Sequence, residues 1–199
     1  MVIAFNTNGF EPISVGGIDG WQDPNTGDRI AVTVTEGIPF PGEWLHDPYA
    51  LRRGFAGFWS KDACLIEVEL VSLGGVTAVR QLVKVPLKDR PSGLRFLSVF
   101  TLAKAPVYAQ LMYTATEHGI TGIRESMLMS ELGHEGFFMP HPFDPQLQTG
   151  LPFHRGDDPA FDARFPDHPL SRARAWTWNV GRYATVDPAF AALPDNWNV

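Results

Sequence analysis

Cys64-Leu65-Ile66-Glu67-Val68-Glu69-Leu70-Val71-Ser72-Leu73-Gly74-Gly75-Val76-Thr77-Ala78-Val79-Arg80-Gln81-Leu82-Val83-Lys84-Val85-Pro86 is two apolar runs joined by a glycine pair. A two-residue turn between antiparallel strands needs φ > 0 at its central residues, so Gly74-Gly75 predicts a tight hairpin. Pairing Leu73 with Val76 fixes a register. Glu69 then faces Arg80, and Glu67 lies diagonal to Arg80 and Lys84. On the other face Leu70 meets Val79, Ile66 meets Val83 and Cys64 meets Val85. One register thus gives an apolar face and a charge-paired face, as a half-buried antiparallel sheet requires. Gln81, opposite Val68 on the apolar face, is the misfit.

Two more strands follow, residues 94–103 and 107–116. Phe96, Phe100 and Leu102 share one face of the first, and Ala109, Leu111, Tyr113 and Ala115 one face of the second. Thr121 is placed to cap a helix running to about Leu132, with Ile123, Met127, Met129 and Leu132 as its apolar positions and Gly133 as its end. Upstream, Asp47-Pro48 opens a helix to about Asp62 with Leu51, Phe55, Phe58 and Trp59 as its stripe. Gly54 and Gly57 within it would permit close approach to a sheet. Residues 29–35 alternate and are β-branched, which predicts another strand. Residues 1–28 read as irregular, with Gly16-Gly17 and Gly20 as turn signals and a short strand at Ile13 and Val15. Beyond Gly133 lies a segment rich in Pro, His, Phe and Asp, read as a long wrapping loop. Asp167-His168-Pro169 then starts a final helix to about Tyr183. The whole is one domain, 1–199, divided into 1–28, a core at 29–133 and a tail at 134–199. The fold class is α+β, an antiparallel β-sheet with flanking helices and a C-terminal wrapping segment.

The order strand, helix, four antiparallel strands, helix between Arg29 and Gly133 resembles the Mog1/PsbP-like fold. The run from Asp157 to Arg172 resembles a tail found in uncharacterised, mainly actinobacterial, proteins. Mog1/PsbP-like proteins, the DcrB-like ones included, mostly bind partners or act as adaptors and secretion chaperones. The resemblance therefore implies a protein partner rather than a substrate.

Composition bounds the function. The formal net charge is −6. Seven acids and one base fall in residues 1–50, and ten bases with six acids in 51–130. Nucleic-acid binding needs clustered Lys and Arg, and here the bases are interleaved with Glu67 and Glu69, so no nucleic-acid partner is expected. No uncharged run approaches the ~18 residues of a membrane span. The first basic residue is Arg29, so residues 1–28 lack the charged n-region of a secretory signal, and a cytoplasmic location is expected. The single cysteine, Cys64, excludes an intramolecular disulfide and reads as a buried, inert thiol.

No nucleophile elbow, phosphate loop or dinucleotide fingerprint occurs, and no catalytic residue is assigned. The tail concentrates histidines and acids. His141, His154, Asp157, Asp158 and His168 are the candidate ligands for a metal, but their spacing matches no ligand motif. No cofactor is expected. Asp157, Asp158 and Asp162 read as caps and solvated acids, and Asp167 as a surface partner for Arg164 or Arg172. The aromatics carry the stronger signal, with fourteen Phe, six Trp and four Tyr. Phe137, Phe138, Phe143, Phe153 and Trp197 are the candidate contacts for a protein partner or a second copy of the chain. The same aromatics can instead seal the tail onto the core. The leading expectation is a non-catalytic protein-binding protein of adaptor, chaperone or immunity type. An enzyme using residues 134–168, with or without a metal, and a small-ligand binder with a pocket between sheet and tail are the alternatives.

Overall fold

A computed structural model describes residues 1–195, and Trp197 lies outside the described residues. Seven antiparallel strands form one sheet: β2 (Glu11–Val15), β3 (Ile18–Gln22), β4 (Arg29–Glu36), β5 (Cys64–Leu73), β6 (Val76–Pro86), β7 (Leu94–Ala103) and β8 (Val107–Thr116). Their spatial order is β2-β3-β4-β8-β7-β6-β5. A short β1 (Ile3–Ala4) pairs with β11 (Thr185–Val186), and β9 (Phe138–Met139) pairs with β10 (Phe153–His154). The helices are α1 (Pro48–Trp59), α2 (Ile123–Leu132), α3 (Pro169–Tyr183) and the short α4 (Pro188–Ala191). The class is α+β, with helices flanking an antiparallel sheet.

The hairpin forms as its sequence dictates. Gly74 and Gly75 take φ of 56° and 84°, and Leu73 pairs with Val76 through to Glu67 with Leu82. There the register slips by one residue, so that Leu65 pairs with Val83 and Cys64 with Lys84. The expected pairs Ile66–Val83 and Cys64–Val85 are corrected by this bulge, which re-aims one side chain. Ile66 joins the core under α3, while Leu65 and Val68 join the core under α1. Both faces of the hairpin are therefore buried along most of its length. The face carrying Glu69 and Arg80 is also the face of Ala78, Leu82 and Phe100.

Four other expectations are corrected. Residues 1–28 are not irregular: they supply β1, β2 and β3. Gly20 lies inside β3, where only glycine fits, because a Cβ there would sit 2.3 Å from the Ile30 carbonyl oxygen. On α1, Phe58 is 71% exposed, and Ala56 takes the buried place beside Leu51 and Phe55. On α2, half of the expected stripe is turned outward, while Met129 and Leu132 are half-buried. Ile123 and Met127 are exposed, and the buried pair is Leu128 and Arg124. Gly122, not Thr121, occupies the N-cap, and the Thr121 hydroxyl instead donates to Ser92 Oγ.

α3 packs over one face. Leu170, Ala173 and Val180 meet Phe96, Phe100, Leu111 and Tyr113. α1 covers the other face at β5 and β6, where Leu51, Phe55 and Ala56 meet Leu65, Val68, Val79 and Val83. It leaves Gln110 and Met112 of β8 half-buried. Asp47 caps α1 by accepting from Tyr49 N, and His168 Nδ1 caps α3 by accepting from Leu170 N at 3.2 Å.

Candidate functional site

The tail wraps the sheet and brings its charges inside. Lys84 and Asp157 are both buried and meet at 2.6 Å, and Asp157 also accepts from His154 N at 3.0 Å. Arg124, fully buried, donates to Gly156 O, Asp158 O, Asp162 Oδ1 and Ser171 Oγ. Arg174 joins Glu67 to Asp162. Polar groups at this depth are tolerable only because each has partners. The expected pairing of Asp167 with Arg164 or Arg172 is corrected. Arg172 forks onto buried Asp28 at 2.7 and 2.8 Å and meets only the Asp167 carbonyl, while Arg164 pairs with Glu131.

The candidate tail ligands are mostly engaged in this locking. His141 Nε2 donates to Leu65 O at 3.0 Å, and Phe143 N donates back to its Nδ1. Burial pushes its pKa down. The His154 ring stacks on Phe137 with centroids 5.2 Å apart, and burial pushes its pKa down to about 4. Asp158 caps the turn after it through Ala160 N. His154 and Asp157 come together, Nδ1 to Oδ2 at 3.6 Å, while His141, Asp158 and His168 each serve separate local bonds. Of the proposed contact aromatics, Phe137 is buried and so removed from any surface. Phe143 and Phe153 pack onto the two cores, and Phe138 is 55% exposed. Cys64 is buried, and burial pushes its thiol up to about 11, which keeps it protonated.

A different place is open and unused by the tail. Between α1, the turn at Gly42–His46 and the sheet lies a cleft of about 290 Å³. Phe40, Trp44, Phe55, Phe58 and Trp59 form its walls. Gln81, Val99, Thr101, Gln110 and Met112 form its floor. Gln81 pairs with Val99 and Val99 with Met112, and Thr101 pairs with Gln110, so the floor is two neighbouring rows across β6, β7 and β8. Trp44 reaches the cleft only because residue 54 is glycine: a Cβ there would sit 2.4 Å from its ring. The close approach at Gly54 is thus to an indole rather than to the sheet, and Gly57 has nothing within 4 Å. Trp44 and Phe40 each pack edge-on against Phe55. The misfit Gln81 accepts from Trp59 Nε1 at 2.9 Å, and Gln110 donates to Thr101 Oγ1 at 3.2 Å. Among the described residues, no titratable group lines this cleft. Sequence reading missed it. Its signal was Gln81 itself, an amide on an apolar face with a tryptophan one helix away.

A second cavity, of about 470 Å³, lies between sheet and tail, lined by Glu67, Phe153, His154, Asp157 and Arg174 among others. The sequence did not predict the set Glu117, Glu125 and His168, whose donor atoms lie within 4.8 Å of one another.

No protein-family profile and no curated protein sequence matches this chain. Among solved structures, the chain is similar to the solution structure of cyanobacterial PsbP (CyanoP) from Synechocystis sp. PCC 6803. The identity is 14%, covering 62% of this chain and 76% of that one, with a TM-score of 0.34. A likeness of that extent assigns neither a family nor a function. No helix among the described residues is long and apolar enough to cross a membrane.

Proposed function

We propose that this protein is a non-catalytic, cytoplasmic protein-binding protein of adaptor, chaperone or immunity type, and that the α1 cleft holds an uncharged anchor side chain of its partner. The observation that carries this reading is the cleft's chemistry: aromatic walls, amide and hydroxyl groups on the floor, and no acid or base. Such a surface can bury an apolar or aromatic side chain and hydrogen-bond the backbone beside it. It holds no group to move a proton. Its volume sits at the lower edge of the ~300–1,000 Å³ typical of small-molecule sites, which suits one anchor better than a whole ligand. Exposed Phe58 at the rim extends the apolar contact beyond the cleft. The engagement of His141, His154 and Asp157 in locking the tail supports the non-catalytic reading.

The test is a photo-crosslinking amino acid at position 58 or, as control, at position 183, used in native cell extract. One protein crosslinked from position 58 and not from 183, and lost in Gln110→Trp, supports the reading. Equal capture from both positions, or capture indifferent to Gln110→Trp, sinks it. A crosslink to a second copy, with a dimer in sedimentation, replaces the heterologous partner by self-association. The cavity between sheet and tail carries a second reading, a small-ligand site, since about 470 Å³ falls inside the small-molecule range. Retention of a metabolite by the native protein, lost in Phe161→Trp, would favour it.

A further inference from the structure

We propose that Glu117, Glu125 and His168 bind one divalent first-row transition-metal ion. The three residues come from three separate elements. Glu117 follows β8, Glu125 stands on α2, and His168 caps α3. Their donor atoms converge within 4.8 Å.

Two polar atoms of these side chains make no hydrogen bond. They are His168 Nε2 and Glu125 Oε2, both buried. The His168 side chain is 10% exposed and its Nε2 stands 3.6 Å from Glu117 Oε1, too far for a hydrogen bond. Buried polar atoms without partners call for an explanation, and an unfilled ligand position supplies one.

Charge points the same way. Glu117 is 5% exposed and its one partner able to carry positive charge is His168 at 3.6 Å; among the described residues no lysine or arginine forms an ion pair with either carboxylate. The other strongly buried acids named above each have a permanent cation: Asp28 has Arg172, and Asp157 has Lys84. A divalent ion balances two carboxylates. Two oxygens and one imidazole suit a borderline ion such as Zn²⁺ rather than Ca²⁺ or Mg²⁺, which prefer all-oxygen shells. Glu117 is already oriented, because its oxygens accept from Gly122 N at 2.9 Å and Leu94 N at 2.7 Å. Glu117 and His168 also line a cleft of about 350 Å³, with Asp167 and Arg172 on its wall, and Arg172 is neutralised by its pair with Asp28, which leaves the cleft as the way in for an ion and the water that would complete its shell.

The tautomer of His168 gives the site a signature. In the ion-free protein Nδ1 accepts from Leu170 N, so the neutral ring carries its proton on Nε2. An ion on Nε2 moves that proton to Nδ1 and breaks the bond to Leu170. Binding is therefore felt at the first turn of α3.

Zn²⁺ titration of the chelator-treated full chain by calorimetry tests the proposal, with backbone NMR beside it. One Zn²⁺ per chain is expected, with a shift of the Leu170 amide. Glu125→Gln should weaken binding at least about tenfold and abolish the Leu170 shift. His46→Ala and His134→Ala, both at exposed histidines, should change neither. Glu125→Gln keeps the side chain's shape, and a wild-type melting curve establishes that it is folded. No saturable binding by the folded wild type overturns the site, as does binding by Glu125→Gln equal to wild type.

Discussion

The two faces of the sheet are finished in opposite ways. Under α3 and the tail the surface is covered by chain, and charges are paired beneath it, some of them around the cavity between sheet and tail: Lys84 on Asp157, Arg174 on Glu67, Arg172 on Asp28. Under α1 the surface stays partly open, and the opening is lined by aromatics and amides without a charge. A buried ion pair adds little net stability over an apolar pair of the same size, yet a single unpaired charge there is heavily penalised. The closed face thus uses charge to reject wrong placements of a long, Pro-rich segment. The open face leaves charge out, so that its stability does not depend on its being filled.

The sharpest way to break this contrast is Lys84→Ala. It leaves Asp157 buried and unpaired, and chemical denaturation should show a loss of about 3–5 kcal/mol. Lys84→Met combined with Asp157→Leu should recover most of it. A loss below about 1 kcal/mol would mean that the pair behaves as a surface one.

Acid should act on the closed face next. The His154 pKa is about 4 in the folded chain, against 6.5 for the free side chain. The unfolded chain therefore takes up this proton first, and stability falls as pH drops from about 6.5 to about 4. The full loss is on the order of 3 kcal/mol. His141 adds to it in the same direction. Denaturation midpoints across that range check the slope, and His154→Phe should flatten it. A midpoint that does not move would place His154 in solvent.

Within the hairpin the effect is smaller. Glu69 is half exposed, and Arg80 also holds Glu67. A double-mutant cycle of Glu69→Lys with Arg80→Glu should give a coupling of about 0.2–1 kcal/mol. Zero coupling would contradict the register at that pair. Smallest of all, Phe58→Ser on the open face should change unfolding free energy by no more than about 0.5 kcal/mol. A larger loss would make Phe58 a core residue and remove it from the proposed contact.

Where local pattern alone decides structure, the sequence was readable. β7 and β8 span the residues their alternation picks out, and the Gly74-Gly75 turn and the caps at Asp47 and His168 follow from residue chemistry. The bulge at Ile66 was not readable, because alternation within a strand carries no mark of where one extra residue enters, and it is the packing of Ile66 under α3 and Leu65 under α1 that the bulge serves. The outward half of the α2 stripe is likewise set from outside its element. Arg124 finds all its acceptors in the tail and α3, so it displaces Ile123 and Met127 from the buried side. β3 was hidden because Gly20 reads as a turn until Ile30 is known to lie against it. The aromatic cleft was hidden because its walls come from α1 and the turn before it, while its floor comes from β6, β7 and β8. The candidate metal ligands were legible only at His168. Glu117 and Glu125 look like ordinary surface acids until β8 and α2 bring them to it.

Arg124 also sets the order in which the molecule opens. Its four acceptors are contributed by three stretches, at Gly156 and Asp158, at Asp162 and at Ser171, thirty-two to forty-seven residues along the chain. Each of these bonds closes a loop of the chain that follows α2, and releasing any one stretch leaves the buried guanidinium short of an acceptor. α2, the tail turn and the first turn of α3 should therefore exchange their amide hydrogens together, as one cooperative unit.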